Sequence, residues 1–158
     1  MPEIQLRPTT HSDLEHLFLF QLDEEGCHLA AFMPKDYNDR DAYMKKYHKL
    51  LADENINNQT ILVDGVIAGS VAKFIMEGDA EITYWINKPY WGQGVATTAL
   101  RQFLTIENTR PIFGRVAFDN IGSQRVLEKC GFVKIATDHG FASARAAEIE
   151  EYVYKLSS

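Results

Sequence analysis

Residues Pro89–Leu100 read PYWGQGVATTAL, and they follow AEITYWIN at Ala80–Asn87. In the earlier stretch Ala80, Ile82, Tyr84 and Ile86 alternate with Glu81, Thr83 and Trp85, the pattern of a strand with two different faces. In the later one, Gly92 and Gly94 flank Gln93 directly ahead of a helical run in which Val95, Ala99, Phe103 and Ile106 share one side. Strand, glycine loop and helix in that order build an anion site. A helix start carries unpaired N–H groups and the positive end of its dipole, and glycine lets the backbone come close to a phosphate.

Spacing separates the ligands that use this device. A nucleoside-triphosphate loop needs a lysine after its last glycine, and Val95 follows Gly94. A dinucleotide site needs a third glycine where Thr97 stands, and it needs the loop directly after the strand, whereas five residues separate Ile86 from Gly92. Asp119 does follow the next strand, as an NAD site would ask, but no second βαβ half accompanies it. The pyrophosphate of coenzyme A is the third ligand that uses this device, and the nicotinamide reading stays open beside it.

Working outward, EIQLRP near the N-terminus reads as a strand, and Thr10 with Asp13 three residues on reads as a helix start that buries Leu14, Leu17, Phe18 and Leu22. A loop containing CHLAAFMPKDYN leads to a second helix from about Asp39, with Tyr43, Tyr47 and Leu50 on one side. Asp64-Gly65 joins two β-rich runs in a hairpin, and Gly78-Asp79 turns the chain into the strand described above. The helix after the glycines runs to about Asn108, Pro111 closes it, and IFGRVAF is a strand. Asn120 caps a short helix with Val126, Leu127 and Cys130 inward, and Gly131 stops it. Two strands, about Phe132–Ala136 and Glu148–Leu156, finish an α/β domain with a mixed, mostly antiparallel sheet flanked by helices. The segment between them, TDHGFASARAA, is long for a hairpin and is read either as a flap over the substrate mouth or as a plain loop.

With 158 residues and 46% apolar content the chain suits one domain, residues 1–158. No apolar run is long enough to span a bilayer and MPEIQLRP lacks the layout of a secretory signal, so a cytoplasmic protein with no membrane partner is expected. A net charge of −6 argues against a nucleic-acid partner and favours a cationic one such as an amine. Cys27 and Cys130 stand far apart, and His11, His16, His48 and His139 have no metal-like spacing, so no disulfide and no metal are expected. Cys130 reads as a small buried hydrophobe. Cys27 and His28 are adjacent, which seldom lets two side chains face each other for proton transfer.

Two segments together resemble the GNAT superfamily of N-acetyltransferases. Trp91-Gly92-Gln93-Gly94-Val95-Ala96 is similar to its Gln/Arg-x-x-Gly-x-Gly/Ala loop, with Trp91 in place of the first residue. AEITYWINKPYWGQGVATTAL looks like the RimJ/RimL branch, which acetylates N-terminal amines of ribosomal proteins among other amines, and NIGSQRVLEKCGF resembles that branch's Asn-x-x-Ser-x-x-Val-Leu-Glu-Lys-x-Gly-Phe helix. The likeness is close from about Ile61 to Phe132 and only topological over the first sixty residues, where acceptors are usually chosen.

That resemblance implies acetyl transfer from acetyl-CoA to a primary amine, a protein or peptide N-terminus or a small molecule, by direct transfer in a ternary complex. A homodimer is an assembly such domains often use. The pantetheine arm would pair with the backbone of Tyr84, Trp85 and Ile86, with the Ile86 N–H as oxyanion donor, and amides from Trp91 through Gly92, Gln93, Gly94 and Val95 to Ala96 would hold the pyrophosphate. Glu81 is expected as the base, directly or through water, against the plainer reading of a cross-strand partner. A lysine-like amine is only about one part in a thousand neutral near pH 7.4, whereas an α-amine with a pKa of about 7.8 needs far less help. Many members carry a tyrosine acid where this chain has Leu127, so Ser123 is expected to hydrogen-bond the leaving thiolate, or else is a helix residue only. Asn120 is read as helix cap, as contact to the cofactor arm, or as both. Arg125 and Lys129 meet the 3′-phosphate or form a solvated face. A different class stays open, a non-catalytic acyl-CoA-binding or sensory module that kept the loop and lost the acceptor site.

Overall fold

Asp13 ties the first three elements together. The computed structural model describes residues 2–158, and in it strand β1 (Ile4–Pro8) runs through one short 3-10 turn (His11–Asp13) into helix α1 (Leu14–Phe20). The Asp13 carboxylate accepts from the Thr10 backbone N–H at 2.9 Å and from both terminal nitrogens of Arg7 at 2.6 and 2.9 Å. It also accepts from the Thr60 hydroxyl at 3.0 Å, on strand β2 (Asn57–Val63). The expected capping aspartate is therefore a buried polar hub that accepts four hydrogen bonds, which is what allows a charge to sit 2% exposed.

Helix α2 (Glu24–Ala30) is a correction to the loop expected there. Asp23 caps it, accepting from the Gly26 N–H at 2.8 Å, and Glu24 and Glu25 occupy its first turn, where they complement the helix dipole. Gly26 obscured the helical pattern, yet contact demands it: a Cβ there would lie 2.8 Å from the ring of Trp85. Helix α3 (Arg40–Leu51) starts at Asp39 as expected and has no fully buried residue; Tyr43 and Tyr47 stack at 4.4 Å, and Tyr43 meets Phe18 of α1 at 5.1 Å.

Asp64-Gly65 turns β2 into β3 (Val66–Met76), and Gly78 precedes β4 (Asp79–Ile86), giving an antiparallel meander with β1 at its edge. Helix α4 (Val95–Ile106) then crosses back over β1 to β4. Val95, Ala99, Leu100 and Phe103 are buried beneath it. Ile106, expected on that face, is 52% exposed; the end of the helix turns Glu107 inward instead, where it accepts from Asn57 of β2 at 3.3 Å.

Strand β5 (Ile112–Ala117), helix α5 (Ile121–Lys129) and the hairpin of β6 (Val133–Ala142) with β7 (Ala147–Leu156) complete a seven-stranded mixed sheet in the order β1-β2-β3-β4-β5-β7-β6. The expected long flap from 137 to 147 is instead mostly strand, and the turn is only residues 143–146. That turn is tied down, with the Ala144 N–H on the Ala31 carbonyl at 3.1 Å and Arg145 on the His28 carbonyl at 2.6 Å and on Asp119. Helices α4 and α5 cover one face of the sheet over the main core, and α1 and α2 lie on the other.

The hub predicts a pH window. Asp13 is held down to about 2 although burial pushes the other way, because the hydrogen bonds from Arg7, Thr10 and Thr60 favour the charged form. A lowered carboxylate contributes stability that is present above its unfolded value, about 3.9, and is lost as pH falls through about 2. The contribution is about 2 kcal/mol. Urea unfolding at pH 5 and pH 2 should show Asp13→Asn losing at least that much at pH 5 and converging with the parent at pH 2; an equal gap at both pH values would contradict the assignment.

Candidate active site

Two parallel strands that begin paired and then part company create the opening. β4 and β5 are joined only at Glu81–Phe113 and Ile82–Gly114. Beyond that point β4 pairs with β3 alone, and β5 with β7 alone. The Asn87 N–H donates to Ala68 of β3 at 2.8 Å, so by strand alternation the N–H groups of Tyr84 and Ile86 point the other way, into the gap. One side of the gap is thus a strand edge with free backbone groups, able to receive an extended chain. The Ile86 carbonyl is already used by the Trp91 indole at 2.8 Å, which anchors the glycine loop to the end of β4. That is what the unusual tryptophan does where the similar loop has glutamine or arginine.

At the mouth of the gap, Gly92 and Gly94 both adopt left-handed backbone, φ 75° and 76°. Gly94 is the cap of α4 and offers no side chain to the helix start. Among the described residues no acceptor takes the amides from Gly92 to Thr97, and a Cβ on either glycine would meet nothing within 4 Å. Bare, forward-facing amides under open space are the physical requirements of a phosphate cradle. Gln93 folds away, its amide donating to the Pro89 carbonyl at 3.0 Å, so it contributes backbone only.

On the α1–α2 side of the sheet lies a charged cluster. Glu81 is 6% exposed and accepts from Arg115 Nε at 3.2 Å. The same guanidinium reaches Asp138 at 3.2 Å and Glu151 at 3.1 Å, so three carboxylates share one cation. Burial raises the Glu81 carboxyl above its ordinary value although Arg115 pulls the other way, and Glu151 and Asp79 add to the rise. A carboxyl pushed up by burial and pulled down by one guanidinium holds its proton more readily than an exposed glutamate does. Trp85 lies on the same face further along β4, its ring under Gly26 and its indole donating to the Phe20 carbonyl at 3.2 Å.

On the opposite face, toward α5, the Tyr84 hydroxyl and the Ser123 hydroxyl are 2.5 Å apart. The phenol is pushed up to about 12, chiefly by burial, with the Ser123 hydrogen bond acting against it. Asn120 accepts from the Ser123 N–H at 3.2 Å and donates to the Leu29 carbonyl at 3.3 Å, so both ends of its amide are held by protein and α5 is tied to α2. Leu127 is 2% exposed and faces Gly114 in the core. Arg125 and Lys129 are exposed on α5. Cys27 is buried with its thiol on the Gln21 carbonyl, while His28 is exposed, so the neighbours face apart. Cys130 is half-buried at the rim of the core rather than fully inside it.

The structure therefore sets the Tyr84 and Ile86 edge and the loop from Trp91 to Ala96 along the gap, with Ser123 on Tyr84 on one face; the Trp85 backbone is turned to β3 with its ring under α2, and Glu81 lies on that second face beside the paired part of the ladder. Sequence reasoning missed Arg115, Asp138 and Glu151. Arg115 left one trace, a charge in the middle of an otherwise apolar strand. The cluster makes a prediction: in Arg115→Gln the carboxyl of Glu81, followed by carbon NMR, should titrate higher than in the parent, since the opposing cation is gone. An unchanged or lower midpoint would show that Arg115 does not govern it.

Among the described residues no helix is long and apolar enough to cross a membrane, and no group of three or more His, Cys, Asp or Glu could hold a metal ion. A family model described as Acetyltransferase (GNAT) domain matches residues 3–133. YdaF of Bacillus subtilis, a protein named for ribosomal N-acetyltransfer, is 29% identical over 102 residues, which span 60% of this chain and 56% of that relative. RimJ of Mycobacterium smegmatis, solved with CoA-disulfide, has a TM-score of 0.80 at 21% identity over 98% of this chain and 82% of that one. Spermidine N-acetyltransferase of Vibrio cholerae, solved with CoA and spermine, has a TM-score of 0.84 at 20% identity over 98% and 95%. The structural likenesses fix the fold; the family match over most of the chain fixes the kinship: this chain belongs to the GNAT acetyltransferase family.

Proposed function

We infer that the protein transfers an acetyl group from acetyl-CoA to a primary amine, an N-terminal α-amine of a protein or peptide or a small-molecule amine, within a ternary complex. The observation that carries this reading is the parting of β4 from β5 next to a helix start with bare amides. An extended arm needs the strand edge and its pyrophosphate needs the cradle, and the two are contiguous. Solved relatives of the same fold hold CoA or acetyl-CoA.

Amides from Trp91 to Ala96 would hold the pyrophosphate and the Tyr84–Ile86 edge would hold the arm. Acetyl-CoA supplies an activated acyl carbon and a thiolate leaving group. The Ile86 N–H would stabilise developing negative charge on the acyl oxygen. Glu81 would take the proton of the incoming ammonium, directly or through a water. Asp138 and Glu151 leave the Arg115 cluster with net negative charge, which favours a cationic acceptor on that side of the sheet.

Thiol release in the presence of acetyl-CoA and peptides with free N-termini, and separately with polyamines, tests the activity. Glu81→Gln should lower turnover about a hundredfold or more and move the pH profile upward toward the amine's own pKa. A parent-like rate and profile in that variant would remove Glu81 as base. Acetyl-CoA that binds but is never turned over on any amine would favour a non-catalytic module.

A further inference from the structure

We propose that Tyr84 is a positioning residue for the leaving thiolate: its phenol donates to the Ser123 hydroxyl oxygen, which fixes the Ser123 O–H toward the sulfur. This rests on the reading of the site given above. Three observations carry it. The two hydroxyls lie 2.5 Å apart, so one of them must donate to the other. Tyr84 belongs to β4 and Ser123 to the first turn of α5, beyond β5, so their bond crosses the gap where an arm laid along the β4 edge would end. And Leu127, one turn further along α5, is buried against Gly114, which leaves Ser123 as the α5 side chain that meets Tyr84.

The direction of the bond follows from what else each group can do. Ser123 has one proton; if it donated that proton to Tyr84, the phenol proton would turn to the Ser123 carbonyl and neither hydroxyl would be left for the sulfur. With the phenol as donor, the serine proton is free and its oxygen is polarised. Tyr84 is also close to the Ser123 carbonyl, at 3.4 Å, a second acceptor that keeps the phenol proton on this side. Burial disfavours the phenolate, so no proton leaves Tyr84. The C–S electron pair stays on sulfur and the nitrogen takes the acyl carbon; of the two protons the ammonium gives up, Glu81 takes the one lost before attack and water the one lost after it. Ser123 and Tyr84 supply hydrogen bonds alone.

The test compares CoA with desulfo-CoA, which lacks the thiol, by calorimetry across pH on the parent, Tyr84→Phe, Ser123→Ala and the double variant. In the parent the preference for CoA should grow as the thiol ionises, at a pH below that of free CoA. Tyr84→Phe should cut the thiolate preference about tenfold, the weight of one hydrogen bond in a charge-assisted pair, and leave desulfo-CoA binding unchanged. It should have no further effect in the Ser123→Ala background, and its turnover should fall about tenfold with KM for acetyl-CoA within about twofold. Equal CoA-to-desulfo-CoA ratios at every pH in the parent and Tyr84→Phe would overturn the proposal while the cofactor site stands. Failure of the folded parent to bind either compound would overturn the cofactor reading, and this proposal with it.

Discussion

Everything at the site depends on where the β4–β5 ladder stops. Two residue pairs hold the strands parallel, and the next backbone groups of β4 have no neighbour. An unpaired strand edge inside a sheet is costly unless something else satisfies it, since backbone N–H and C=O groups are strong, obligatory hydrogen-bonding groups. The fold keeps the edge open by giving each strand a better partner on its far side. β4 is paired with β3 along its whole length, and β5 with β7 from Ile112 to Ala117. The gap is then braced on both faces. Trp85 supports α2 on one, and Tyr84 meets α5 on the other.

The two faces divide the chemistry. Toward α5 the Tyr84 and Ser123 hydroxyls meet, and the bare amides of the glycine loop lie at the end of β4. Toward α1 and α2 the lining is charged, with Glu81 buried among an arginine and two further carboxylates. A buried ion pair seldom adds net stability, because desolvation offsets the attraction. Its value here is in control: Arg115 limits how far burial can raise Glu81. Arg115 is the exposed member of the pair and Glu81 the buried one, so the cluster meets solvent through the guanidinium.

How much of this was legible in the sequence varied with burial. The meander, α4, α5 and the loop at Gly92–Gly94 were readable because each has one buried face and a sharp stop or turn. The strand carrying Glu81 could be assigned its two faces residue by residue. Helix α2 was not readable, since Gly26 and the Cys27–His28 pair break the apolar pattern and the reason for the glycine is a distant ring, Trp85. The length of β6 was hidden for the opposite reason. It is an edge strand exposed on both faces over most of its length, so no period marks it. Arg115 was visible as an oddity, but its three partners come from β4, β6 and β7, a meeting that only tertiary structure reveals.

The account stands or falls on where acetyl-CoA lies. Amide proton–nitrogen NMR spectra recorded during a titration with acetyl-CoA would locate it directly. The account predicts the largest shifts at Tyr84, Ile86 and the amides from Gly92 to Ala96, with little change along β1, α3 and the outer strand β6. Saturable binding whose shifts fall elsewhere and leave the β4 edge and glycine loop untouched would contradict it.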